Sequence, residues 1–173
     1  TDNMVFRFAW TNTIARPNYV DLTPFRDVVV DDQEIYSGNP NLDPTTSMNF
    51  DLNFENYLSN VGIISAGAFY KNVNDFIYTF IGEDEATGFD LFQPLNGEDA
   101  SIFGLEVGFQ RQLDFLPGFL KNLSFYGNYT YISSSANGIR NEDGDLRDDM
   151  DLPNTSPNMF NASLAYATKK FSA

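Results

Sequence analysis

The sequence predicts an all-β fold in which about six long antiparallel strands stand side by side, each with one apolar and one polar face. Three observations carry this reading. Apolar residues recur at every second position, most cleanly in "MNFDLNFE", where Met48, Phe50, Leu52 and Phe54 alternate with Asn49, Asp51, Asn53 and Glu55. A period of two is the strand period, because successive side chains leave opposite faces. The runs extend for about ten residues, whereas strands of soluble domains cluster near 5 to 6 and tilted membrane-spanning strands need about 9 to 11. The connections alternate short and long, the pattern of outer-membrane barrels with short periplasmic turns and long extracellular loops.

In chain order, the first strand sets Met4, Phe6, Phe8 and Trp10 against Asn3, Arg7, Ala9 and Thr11. Arg16-Pro17 ends it, because proline lacks the ladder donor and holds its predecessor out of helical space. A long segment from Arg16 to Thr45 passes the turn residues Gly38-Asn39-Pro40 and Asp43-Pro44 into the second strand. The tight "LSNVG" leads to the third, "VGIISAGAFYKNVNDFIYTF", which is apolar on both parities through Ile63, Ile64, Ala66, Phe69 and Tyr70, so its faces stay unassigned.

After the acidic "GEDEATGFDLFQPLNGED", the fourth strand sets Phe103, Leu105, Val107 and Phe109 against Gly104, Glu106, Gly108 and Gln110. The short "FLPGFLKN", with Pro117-Gly118 suited to a tight turn, leads to a fifth in which Leu123, Phe125, Tyr129 and Tyr131 oppose Ser124, Asn128 and Thr130. The long "SSSANGIRNEDGDLRDDMDLPNTSP" precedes the sixth, with Phe160, Ala162, Leu164 and Tyr166 against Asn161, Ser163 and Ala165.

Composition bounds the function. With 42% hydrophobic and 16% aromatic residues the chain is not a disordered one, yet its mean hydropathy is only -0.30, as expected when hydrophobicity is hidden in alternation. No apolar run approaches the ~20 residues of a spanning helix. The net charge of -14 argues against nucleic acid as a partner. The absence of Cys and His removes disulfides, thiolate and imidazole metal sites and every Ser/His/Asp triad. Carboxylates, hydroxyls and lysines remain, and no spacing organises them. Asp51 and Glu55 share a face but sit ~13 Å apart at ~3.3 Å per residue, outside the ~5 to 9.5 Å of a catalytic pair. No enzyme activity, cofactor or metal site is expected.

Trp10, Tyr129, Tyr131 and Tyr166 fall toward strand ends on apolar parities, where an interfacial girdle would place them. Arg111 has apolar parity but lies beside the "FLPGF" turn, from which it can snorkel to headgroups. Single-chain barrels begin at 8 strands, and open sheet edges are not tolerated in lipid, so about six strands are expected to be one arc of a larger barrel. "TDNMVFRFAW" reads as a strand already under way and "ATKKFSA" as the end of another.

The strings "IARPNYVDLTPF", "GNPNLDPTTSMNFDLNFENY", "GAFYKNVNDFIY", "NGEDASIFGLEVGFQRQLDFLPGFLKNLSFYGNYTY" and "LPNTSPNMFNASLAY" occur in this order through nearly the whole chain. Together they resemble the C-terminal part of the β-barrel of TonB-dependent outer-membrane receptors. The resemblance implies that residues 1–173 are part of a 22-stranded barrel in the bacterial outer membrane, without the plug domain, the TonB box and the terminal strand. It also implies active import of a scarce nutrient bound on extracellular loops, with energy transmitted by TonB. The implied partners are outer-membrane lipid and lipopolysaccharide, the protein's own plug and remaining strands, the TonB complex and a small nutrient or oligosaccharide.

Ligand contacts are expected on the long connections, at Tyr19, Arg26, Tyr36, Phe92, Gln93 and Asn96, because aromatic and amide groups dominate polar binding surfaces. The same residues could instead pack loop on loop. "NEDGDLRDDMD", residues 141–151, does not follow the calcium-loop pattern and reads as a solvated loop. The sequons at Asn122, Asn128 and Asn161 fall at strand ends or inside strands, where a glycan has no room, and are taken as chance. Two other readings share the strand pattern: a passive or structural barrel, and a soluble β-sandwich used as a binding module.

Overall fold

A computed structural model describes residues 3–59, 61–152 and 155–168. Residues 1–2 and 169–173, Asn60 of the first short turn, and Pro153 and Asn154 of the third long segment lie outside the described residues, and with them the reading of both chain ends.

The wall is a six-stranded antiparallel sheet of β1 (Met4–Ala15), β4 (Thr45–Tyr57), β5 (Gly62–Asn74), β8 (Asp99–Gln112), β9 (Leu123–Ala136) and β12 (Asn158–Tyr166), adjacent in that order. Every neighbour pair is a hairpin of consecutive wall strands, as expected of an up-and-down barrel wall. Long strands form because the alternation gives each backbone a continuous ladder partner and each apolar residue a place in one face.

Register aligns the apolar residues into rows. Trp10, Phe50, Tyr70 and Phe103 form one, and Phe6, Phe54, Ala66, Val107, Tyr129 and Phe160 another. This face is bare: Phe6 and Phe8 are each 67% exposed and Phe160 71%. A soluble sandwich would need a second layer over it, and among the described residues none covers it. The opposite face carries Arg7, Asn53, Glu55, Glu106, Thr130 and Asn161, the polar side.

The faces of β5 are now settled. Ile64, Ala66, Ala68 and Tyr70 point outward, and Ile63, Ser65, Gly67, Phe69 and Lys71 inward. Inward Phe69 lies on Gly104 of β8, where a Cβ would come within 2.1 Å of its ring. The glycine makes room for the aromatic that blurred the alternation.

Two expectations are corrected. "VGIISAGAFYKNVNDFIYTF" is not one strand: the chain breaks at Asp75, with φ of 55°, and restarts as β6 (Ile77–Glu83) outside the wall. The long connections are not plain loops either. The first holds β2 (Arg26–Val29) and β3 (Glu34–Ser37), the second β6 and β7 (Asp90–Asn96), and the third the small hairpin of β10 (Ile139–Arg140) and β11 (Leu146–Arg147). The first two connections combine into a sheet of order β2-β3-β7-β6, in which β3 and β7 pair in parallel.

Most of the burial gathers at this end. Ile35 and Ala136 are fully buried, Ala100 and Leu42 nearly so, and no wall residue of the apolar band joins them. The other end has the short turn at 58–61 and a connection at 113–122, where extended Pro117 and left-handed Gly118 lead into a 3-10 helix, Gly118–Asn122.

Candidate functional site

The site is the sheet made by the first two long connections, which stands on the outer end of the wall. Pairing puts Tyr36, Phe92, Ile81, Pro94, Thr79 and Asn96 on one face and Ile35, Leu91, Gly82, Gln93, Ser37 and Arg26 on the other. The second face holds the buried Ile35 and the buried Gly82, so it is the packed one. The first is open, with Tyr36 and Ile81 both exposed.

The six residues expected at a ligand surface thus separate. Tyr36 and Phe92 come together, stacked at 5.0 Å between ring centroids with planes 16° apart. They line a concavity of ≈ 300 Å³ with Phe25, Ile77, Tyr78, Thr79 and Pro94, edged by Asp21 and Ser37. The Tyr36 hydroxyl donates to Glu34 at 2.7 Å, and that carboxylate raises its pKa above the ordinary phenol value. Tyr36 therefore stays a neutral donor at neutral pH.

The other four do not join this ledge. Tyr19 is 88% exposed. The Gln93 amide donates to the Gly38 carbonyl at 3.2 Å. Asn96 ties three points: its Nδ2 donates to the carbonyls of Asp43 (3.1 Å) and Asp75 (2.7 Å), and its Oδ1 accepts from the Asp43 amide (2.9 Å). Arg26 pairs with Asp84 at 2.9 Å, pinning the first connection to the second. Gln93, Asn96 and Arg26 are thus engaged in joining the two connections.

The Arg26 guanidinium, with the Thr87 hydroxyl and amide, holds the Asp84 carboxyl below its ordinary range. A depressed carboxylate stabilises the fold above its unfolded pKa and loses that contribution as pH falls through the folded one. Amide exchange at residues 26–29 and 84–88, corrected for intrinsic rates, is expected to be slow at neutral pH and to rise below about pH 4. Arg26→Gln should show faster exchange already at pH 7 and a smaller acid step, because the Thr87 hydroxyl and amide still hold the Asp84 carboxyl down.

The inner wall holds the other polar cluster. Arg7 pairs with Glu55 at 2.6 Å, and the Tyr57 hydroxyl donates to the same carboxylate at 2.7 Å. Asp51 stands opposite Ala9 and Phe69 and lines a concavity with Lys71, the diagonal neighbour on the same face. Two concavities of ≈ 260 and ≈ 330 Å³ share Asn53, Gly67 and Glu106.

In the acidic segment 141–151 the side chains close their own loop. Asn141 Oδ1 accepts from the Asp145 amide at 2.7 Å, Asp148 from the Gly138 amide at 3.2 Å, and Asp149 from the Ser135 hydroxyl at 3.3 Å. No group of three or more acidic residues poised for a metal ion occurs among the described residues. Asn128 and Asn161 face each other on the inner wall, with Asn161 Nδ2 donating at 2.9 Å. A further concavity, ≈ 430 Å³, lies where Tyr78, Thr79 and Ile81 of β6 meet Arg140 and Arg147 of the small hairpin. Nothing in local periodicity marks it, because its walls come from different connections.

Comparison with known proteins agrees with this architecture. The family described as TonB dependent receptor-like, beta-barrel, matches residues 1–173. Among solved structures the chain is similar to the siderophore receptor PirA from Pseudomonas aeruginosa, at 18% identity and a TM-score of 0.69 over 97% of this chain and 29% of that one. It is similar to the copper transporter OprC, at 18% identity and 0.67 over 99% and 23%. The ferric enterobactin receptor PfeA from Pseudomonas aeruginosa follows at 17% identity and 0.65 over 96% and 24%. The chain therefore spans less than a third of the length of these structures. No curated protein matches it.

Proposed function

We propose, on the premise that this chain belongs to the TonB-dependent receptor-like β-barrel family, that it is part of the wall and mouth of an active importer in the bacterial outer membrane. The observation that carries the reading is a six-stranded wall with a bare apolar face and a polar opposite face, joined at one end by a second sheet that bears an aromatic ledge. In this reading the apolar band meets lipid, the polar face lines the lumen and the loop sheet stands at the mouth. Residues 1–173 would be an arc of a 22-stranded barrel. The inner face would contact a plug domain, and TonB would act through that plug. Transport here means binding and gated passage, with no covalent chemistry.

The cargo is proposed to be a small, metal-linked nutrient. Two features support this: the acidic outer connections, and the siderophore and copper named for the similar structures. Tyr36 and Phe92 are the proposed contacts, since a preformed aromatic face binds a flat or apolar group at little entropic cost.

The test is uptake of radiolabelled ferric siderophores, copper and haem by cells expressing the full-length protein, with and without TonB. Accumulation of one of them that disappears in cells lacking TonB is the expected result. Uptake unchanged without TonB would favour the passive barrel.

A further inference from the structure

Arg111 is the one cationic side chain on the outward face of the wall among the described residues. Its row neighbours are Gly62 and Phe125, with Leu164 beyond. It lies at the short-turn end, one residue from the end of β8. Among the described residues its guanidinium makes a long ion pair with Asp114, 3.8 Å, and a face-on contact with the Phe115 ring, 5.1 Å to the centroid. Its Nε is buried and has no hydrogen-bond partner.

A guanidinium carries five N–H donors, and with its side chain 34% exposed the terminal nitrogens of Arg111 can reach an acceptor at the surface of the wall, beside the apolar rows. The surroundings indicate its kind. On one side lie the outward rows of Phe109, Phe125 and Leu164. On the other, the connection exposes Phe115 (65%) and Phe119 (71%), aromatics of the type that settle at a membrane boundary.

We propose that Arg111, flanked by Phe115 and Phe119, clasps the phosphate of a phospholipid in the periplasmic leaflet, whose acyl chains lie along Phe125 and Leu164. The clasp rests on the outer-membrane reading and on the assignment of the short connections to the periplasmic side. It continues the lipid-facing band into a specific headgroup contact. The forked donors suit a phosphate, which accepts two parallel N–H bonds.

The experiment uses the full-length protein purified in detergent, with native mass spectrometry of added palmitoyl-oleoyl phosphatidylglycerol against dioleoylglycerol, which lacks the phosphate. The expected result is retention of phosphatidylglycerol on the order of tenfold above dioleoylglycerol, lost in Arg111→Gln and reduced in Arg111→Lys. Heat-modifiable gel migration checks that each variant is folded. Equal retention of the two lipids by the unaltered protein, or an undiminished preference in folded Arg111→Gln, overturns the clasp. If Arg111→Gln fails to fold, the two-lipid comparison on the unaltered protein decides alone. A full-length protein that is folded and monodisperse without detergent would instead overturn the membrane reading on which the clasp stands.

Discussion

Replacing Val107 by arginine is expected to cost about 2–4 kcal/mol of folding free energy in a lipid bilayer, whereas Thr130→Lys costs less than about 1 kcal/mol. Val107 stands in the middle of the outward band, between Ala66 and Tyr129. An arginine there must reach through hydrocarbon for water or lose its hydration. Thr130 pairs with Glu106 on the inner face, one strand away, where a lysine meets a carboxylate and solvent. The two positions differ in parity rather than in depth, so the contrast isolates the face assignment. Denaturant titration of the full-length protein in vesicles measures both, and similar losses at the two sites would mean that the faces are not lipid and lumen.

Gly38→Ala is expected to detach the loop sheet while leaving the wall intact. A Cβ at Gly38 would come within 2.0 Å of the Thr23 carbonyl oxygen, a backbone atom that cannot rotate away. The same residue donates its amide to Phe25 and accepts from Gln93, so the first and second connections meet there. Moving either backbone sacrifices one of these bonds, and a loss of about 1–3 kcal/mol is expected for the local unit. Hydrogen exchange should accelerate at residues 26–37 and 90–96, with the amides of β4 and β8 unchanged. Cargo binding should weaken in parallel if Tyr36 and Phe92 form the contact. Unchanged exchange in the loop sheet would show that the junction is slack.

Much of the wall was legible because its physics is local. In β1, β4, β8, β9 and β12 the solvent and lipid faces each impose one parity, so Met48 to Glu55 announce their strand without a partner. β5 hid its faces because Phe69 points inward, and that is possible only because Gly104, 35 positions away, leaves space for the ring. The loop strands were illegible for the same reason on a larger scale. "EIYS" of β3 has no alternation worth reading, and its parallel partner "DLF" of β7 lies in a different connection, Glu34 against Asp90.

Candidate ligand residues divided along this line. Tyr36 and Phe92, expected separately as loop aromatics, are register partners. Arg26, Gln93 and Asn96 looked equally available, but each is taken up by a partner from the other connection. Composition reports that a side chain can bind, and only the fold reports that it is already occupied.

The central claim is that the outward face of the wall was made for lipid. Since the chain contains no cysteine, single cysteines introduced one at a time from Met48 to Glu55 in the full-length protein can each carry a spin label. Collision with lipid-soluble oxygen and with a water-soluble nickel chelate, in vesicles, then reads the environment of each position. A period of two is expected, with oxygen dominant at 48, 50, 52 and 54 and the nickel chelate at 49, 51, 53 and 55. Water access at both parities, or protection from both reagents at the even positions, would place solvent or another protein layer, and not the bilayer, against the outward face.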